Sequence, residues 1–165
     1  MDLGTNPFVV LSYVSGPALL TNATSLLLLS TTNRFARAID RSRYLTGLLE
    51  GPSASRMAEA HEWALRIVGR RIRLIGLSIM AFYLAAAMFA LATVMSILGA
   101  VLAELMTGFV LEAIVVSAVG LGLIGFAAFV TAALALVGEA RLTMSSLAQE
   151  SADAIAAMER AIRRV

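Results

Sequence analysis

The sequence predicts an all-α integral membrane protein with three transmembrane helices whose inner ends extend into the cytoplasm. The first observation behind this is composition: 59% of the residues are hydrophobic and the mean hydropathy is +0.86, whereas an ordinary soluble domain is roughly 45–50% apolar. The second is where the charges are missing. No Asp, Glu, Lys or Arg occurs from Leu3 to Asn33, from Leu74 to Ala103, or from Ala113 to Gly138. Each run exceeds the roughly 20 residues that carry a helix across a bilayer. The third is the placement of the basic residues, all 13 of which are arginine.

Nine arginines lie in 34–73 and four follow residue 138, with none in the N-terminal tail or the 104–112 turn. Cytoplasmic flanks of membrane spans collect Arg and Lys. Three spans put every arginine on one side, so the N-terminus is expected outside and the C-terminus in the cytoplasm, in a cell inner membrane. The start MDLGTNPFVV has no basic n-region, and the first span is expected to be retained.

Residues 1–165 read as one three-span domain. Span one covers about 7–33, with Pro17 inside it as a kink or helix start, since proline removes one backbone bond. Residues 1–15 could instead form a separate outer segment. The helix continues past the membrane toward Gly51-Pro52, a turn signal, so 34–73 forms a cytoplasmic helical hairpin. Ser53 is positioned to cap the second helix. There Met57, Ala60, Ala64, Ile67 and Arg71 follow 3–4 spacing and define a packing face. Span two covers about 74–103, ELMTGFVLE is the outer turn, and span three covers about 113–138. In the cytoplasmic C-terminal helix, 139–165, Met144, Ala148, Ser151, Ile155, Met158, Ile162 and Val165 repeat as a weak heptad. That pattern suits packing on the loop helices or on a neighbouring subunit.

Each span carries a stripe of small or polar residues, the pattern that lets helices approach closely in lipid. In span two it is Ser78, Ala81, Ala85, Ala92, Ser96, Gly99 and Ala103; in span three it is Ala113, Ser117, Gly120, Ile124, Ala128, Thr131, Ala135 and Gly138. Span one is more polar, with Ser15, Asn22, Ser25 and Thr32 along one face, Thr21 beside it and Asn33 at its end. An amide in hydrocarbon must find partners, because an unsatisfied polar group there costs several kcal/mol. Two roles fit Asn22: an interhelical hydrogen bond, or a place along a hydrated path in an oligomer.

The remaining candidates are charges at the mouths of the spans. Glu104 and Glu112 bracket the outer turn and are either solvated or, repeated around an oligomer, an acidic ring that attracts cations. Arg34 and Arg37 stand at the inner mouth. Glu139 also lies there; Arg141, two residues on, faces elsewhere on the helix, so Glu139 is expected to meet an arginine of the 66–73 cluster.

Several chemistries are excluded or unsupported. The chain has no cysteine and one histidine, His61, which rules out thiolate chemistry and a histidine-built metal centre within one chain. No ionisable residue sits at the middle of a span, unlike most proton-coupled transporters. No nucleophile, base and oxyanion donor can be assembled, and GLGLIG at 120–125 lies within a span, so neither an enzyme nor a cofactor is expected. The expected partners are the lipid bilayer, anionic lipid headgroups on the arginine-rich inner side, and other copies of the chain; nucleic acid is not expected.

PALLTNATSLLLLSTTNRFAR, LRIVGRRIRLI and GEARLTMSSL together resemble the bacterial membrane-protein family known as domain of unknown function 2721. The likeness covers roughly residues 10 to 150. Its most specific parts are Pro17-Ala18-Leu19-Leu20, Thr32-Asn33-Arg34-Phe35, Arg70-Arg71, and Glu139 with Arg141. Ala140 departs from the pattern, which usually has a larger aliphatic residue after the glutamate. The resemblance implies an integral membrane protein with three spans and supplies no activity. Function is expected to be structural, accessory or scaffold, in a homo-oligomer; the alternative is a passive channel for small ions or polar solutes lined by span one.

Orientation is directly testable, because the chain has no cysteine of its own. A cysteine introduced at Thr107 is expected to react with an impermeant maleimide on intact cells, and one at Ser55 only after the membrane is opened. Labelling at Ser55 from outside would overturn the orientation.

Overall fold

A computed structural model describes residues 7–49, 54–103 and 108–163. Side chains are described for 15–47, 64–103 and most of 108–163. Three helices account for nearly all of it: α1 (Pro7–Leu49), α2 (Ala54–Leu102) and α3 (Phe109–Ile162). No strand occurs among the described residues. Pro17 does not start a helix. Instead α1 runs through it from Pro7, so the separate outer segment is not formed over Pro7–Ser15. The Gly51-Pro52 turn, the Ser53 cap and Glu104 lie outside the described residues.

Ala103 N–H donates to the Gly99 carbonyl at 3.0 Å and closes the end of α2. Gly108 precedes α3 with φ +91°, a left-handed conformation that glycine adopts without a Cβ clash. Its carbonyl accepts the Glu112 N–H at 3.3 Å. Glu112 sits in the first turn of α3, where a carboxylate is favoured by the helix dipole.

The chain divides into two compact units, one of Met1–Thr32 and Ser78–Ala133, the other of Asn33–Leu77 and Leu134–Val165. In the first unit the buried positions on α2 are Ser78, Phe82, Ala85, Phe89, Ala92 and Gly99, those on α3 are Gly125, Ala128 and Ala132, and those on α1 are Thr24 and Thr31. The 4-3-4-3 spacing on α2 is a heptad seam, the pattern of helices packed at a shallow angle. Ala85, Phe89 and Ala128 form its core, with Leu20 and Phe129 packed against them. The Phe82 and Phe129 rings meet edge to face, 5.7 Å apart at 69°, a favoured aromatic geometry.

Small residues on the seam make room for large ones. A Cβ built on Gly125 would lie 2.9 Å from the Phe89 ring and 3.1 Å from Met88 Cβ, and one on Gly99 would lie 3.3 Å from Ile114. The expected α2 stripe is thus partly the real one, through Ser78, Ala85, Ala92 and Gly99. The α3 stripe is also only partly the real one: Ala128 and Ala135 are buried, whereas Ala113, Ser117, Ile124 and Thr131 are exposed, and in the first unit the seam runs through Gly125, Ala128 and Ala132.

In the second unit Ala38, Leu45, Val68, Ile75, Ala135 and Glu139 are buried. The α2 packing face here centres on Val68 and Ile75, with Ala64, Ile67 and Arg71 half-buried. The expected heptad along the C-terminal part of α3 faces outward within one chain: Met144, Ile155, Met158 and Ile162 are all exposed. Packing on the loop helices is therefore not its role in a single chain.

Two stretches, Ala64–Leu102 and Phe109–Gln149, are long and apolar enough to cross a membrane. The α3 stretch has only 6% of its apolar window buried, where the core helix of a soluble protein would be mostly covered. Met80 (73% exposed), Leu123 (66%) and Val116 (64%) illustrate how much oil the surface carries. Two such helices are what a membrane protein would carry.

Close packing at Gly125 predicts an asymmetry between neighbouring glycines. Gly125→Ala is expected to lose about 1–3 kcal/mol of stability. Gly122→Ala, where an added Cβ meets nothing within 4 Å, is expected to be neutral or to gain up to about 1 kcal/mol from helix propensity. Titration of helicity with sodium dodecyl sulfate in mild-detergent micelles measures both.

Candidate functional site

The second unit buries a carboxylate. Glu139 follows the last residue of the third charge-free run, and its side chain is 4% exposed. An ionised group so placed needs a counter-charge and hydrogen bonds. Arg71 supplies both: its Nε and one terminal nitrogen donate to Glu139 Oε1 at 3.0 and 2.8 Å. Thr143, one turn further along α3, donates its hydroxyl either to the same Oε1 at 2.9 Å or to the Glu139 carbonyl at 3.1 Å. An Arg34 nitrogen lies 3.7 Å from Oε2, an ion-pair distance that is too long for a hydrogen bond. Among the described residues no buried side-chain nitrogen or oxygen lacks a partner.

The three charged residues each come from a different helix. Arg71 stands between Val68 and Ile75 on the buried face of α2, Glu139 follows Ala132 and Ala135 on that of α3, and Arg34 is on α1. The expectation that Glu139 meets an arginine of 66–73 is met, and the structure selects Arg71. The seam spacing held the clue, because of the four arginines in that cluster only Arg71 falls at a 3–4 step between buried apolar neighbours. Thr143 and Arg41 were not anticipated. Thr143 looks like any helical threonine in sequence, and its role depends on Glu139 turning inward.

Beside the pair is a cleft of about 480 Å³. Arg34, Arg37, Arg41 and Arg71 line it together with Glu139 and Thr143. Arg34, Arg37 and Arg41 are exposed at its rim.

The polar residues of α1 behave differently. Thr21 donates to the Pro17 carbonyl at 2.9 Å, Ser25 to Thr21 at 2.9 Å, and Thr32 to Leu28 at 2.9 Å. Buried Thr24 and Thr31 donate to the Leu20 and Leu27 carbonyls at 2.6 and 2.7 Å. Hydroxyls bonded four residues back satisfy themselves inside one helix, which removes most of the cost of polar groups in lipid. Ser15 and Thr21 are half-buried, and Asn22, Ser25, Thr32 and Asn33 are exposed. Among the described residues no hydrogen-bond partner engages the Asn22 or Asn33 amide. The inward threonines are therefore Thr24 and Thr31, and the line through Asn22 lies on the surface of the single chain. Glu112 is exposed at the start of α3.

Fold and site together define an all-helical protein with two helices long and apolar enough to cross a membrane, in which a buried glutamate–arginine pair sits just beyond the apolar runs. The chain belongs to the family described as Protein of unknown function (DUF2721), whose profile matches residues 14–149. That range contains Arg34, Arg71, Glu139 and Thr143. No curated protein and no solved structure matches the chain.

Removing one partner of a buried pair strands the other. Glu139→Ala is expected to lose about 3–5 kcal/mol, whereas Arg34→Ala, half exposed and at 3.7 Å, is expected to lose less than about 1 kcal/mol. Replacing the pair together, Arg71→Met with Glu139→Leu, is expected to recover much of the loss. Detergent unfolding of the four proteins completes the comparison.

Proposed function

We propose that the protein is a non-enzymatic, multi-pass component of the cell inner membrane, with three spans, the N-terminus outside and the C-terminus in the cytoplasm. It acts as a structural or accessory scaffold assembled from copies of itself. The observation that carries this reading is the exposed apolar surface of α2 and α3, including Met80, Val116 and Leu123. Lipid covers such a surface, and neighbouring copies cover the rest. α1 is the third span: it is free of charge from Pro7 to Asn33, and the hydroxyls of Thr21, Thr24, Ser25, Thr31 and Thr32 are satisfied within the helix. The outward heptad residues Met144, Ile155, Met158 and Ile162 add an apolar line for self-association. Lipid is the principal partner, with anionic headgroups on the arginine side, and no nucleic acid is involved.

One observation favours a second reading, a passive channel. Asn22, Ser25 and Thr32 are exposed along one face of α1, so only an assembly could enclose them. Around an axis they would line a partly hydrated path for small ions or polar solutes, with Glu104 and Glu112 outside and Arg34 and Arg37 at the inner mouth.

Mass measurement in mild detergent is the first test, and an oligomer is expected; monomer alone at all concentrations would overturn self-assembly. Asn22→Leu then separates the readings. In a scaffold whose Asn22 bonds a neighbouring copy, assembly weakens by about 1 kcal/mol per contact and liposomes show no flux before or after. In a channel, the oligomer survives and flux changes.

A further inference from the structure

From Leu147 to Arg163, at the end of α3, every described side chain is exposed, Ile155, Met158 and Ile162 among them. A helix takes most of its stability from packing an apolar face, so this stretch calls for a neighbour. The family profile stops at residue 149 and does not account for it. The pattern is two-sided. Counted in sevens, Ala148, Ile155 and Ile162 fall at the a position and Met144, Ser151 and Met158 at d. The flanking e and g positions include Ala152, Ala154 and Ala161, and from Met144 to Ile162 the only charge on this whole side is Glu159. Glu150, Asp153 and Arg160 fall on the opposite side. The seam hydroxyls are already used, because Ser145 and Ser151 donate to the Leu142 and Ala148 carbonyls at 3.0 and 2.9 Å. Such a face loses water at little cost.

We propose that this face is covered by the same face of a second copy, the two α3 ends running parallel and in register as a short coiled coil. The inference names the contact behind the self-association proposed above and rests on that reading. Charge favours a second copy over a foreign helix. A strongly acidic or basic partner would meet no row of counter-charges along the seam, whereas an identical face is equally apolar. Register agrees. In a parallel pair Ile155, Met158 and Ile162 each meet their own counterpart, so every layer joins side chains of one size. Ile at a is the β-branched choice that parallel dimers favour there. A g residue in such a pair faces the e residue of the partner's next heptad, so Glu159 lies opposite Ala154 and no two glutamates meet. Direction agrees as well, because copies inserted in one membrane with one orientation point their α3 ends the same way.

The chain has no cysteine, so one introduced cysteine reports one position of the full-length protein. In isolated membranes oxidised with copper phenanthroline, Ile155→Cys and Ile162→Cys are each expected to give disulfide-linked dimers. Their yield is expected to be at least about fivefold that of Arg160→Cys on the opposite side. An antiparallel pair joins like positions only near its centre, so a product formed only when Ile155→Cys and Ile162→Cys chains are mixed would overturn the parallel register. The double variant Ile155→Asp/Ile162→Asp, which puts charge into the seam, is expected to weaken the oligomer on the order of tenfold or more. Arg160→Asp/Arg163→Asp alters charge away from the seam and is expected to assemble as wild type. Mass in mild detergent reads both, with helicity unchanged. Equal cross-linking at all three cysteines, or equal losses in the two aspartate doubles, would overturn the proposal. So would cross-linked products whose mass is not a multiple of this chain, which would give the seam to a different protein. A wild-type oligomer alongside either result leaves self-assembly standing through another contact, whereas wild-type monomer at every concentration would overturn both readings.

Discussion

The carboxylate of Glu139, held by two nitrogens of Arg71 and by the Thr143 hydroxyl, is the interaction on which the second unit depends. Apolar residues packed along a seam tolerate sliding, because one methyl replaces another at little cost. A buried charge does not. Moving α3 by one turn against α2 would shift Glu139 by about 5.4 Å and leave both ions without partners. The pair therefore sets the register of α2 and α3 at the point where their apolar runs meet the arginines. Arg34 adds a long-range attraction from α1, exposed enough to be weak.

The first unit is held by different means. If lipid lies outside, as proposed, burying oil gives little, and close contact must supply the attraction. Phe89 lying against Gly125 and the Phe82–Phe129 edge contact meet that need, with Ala85, Ala92, Ala128 and Ala132 keeping the helices close. Thr24 and Thr31 can face this interior because each hydroxyl returns to its own helix at position i−4. The abundance of Ser and Thr in α1 is thereby explained without a pore. Asn22 is the exception, since an amide cannot satisfy all its donors this way, and it faces outward.

The surfaces left uncovered carry the functional argument. Two kinds stand out, apolar stretches on α2 and α3 and an arginine-lined cleft. The apolar stretches suit acyl chains, and the cleft sets the arginines beside the Glu139 pair. The proposed scaffold would use the apolar stretches, and the proposed conduit would add the Asn22 face to them.

Charge-free runs of helix length made the helices, two of them long and apolar enough to cross a membrane, legible in the linear sequence, since both properties depend on composition and spacing along one chain. The family was legible through its motifs, such as Thr32-Asn33-Arg34-Phe35 and Arg70-Arg71, and the partnership of Glu139 with the 66–73 cluster through the position of Glu139 beside Arg141. What turned inward was harder. Small residues recur on more than one face of α3, and composition cannot say which face meets Phe82 and Phe89; only the packed helices put Gly125, Ala128 and Ala132 inside and left Ser117 and Thr131 out. The same holds for α1, where Asn22 and Thr24 are two residues apart and about 200° apart around the helix. The choice of Arg71 over its neighbours, the recruitment of Thr143 and the arginine cleft all depend on three helices meeting side by side. Distances across helices are set by packing, and the order of residues along one chain does not contain them.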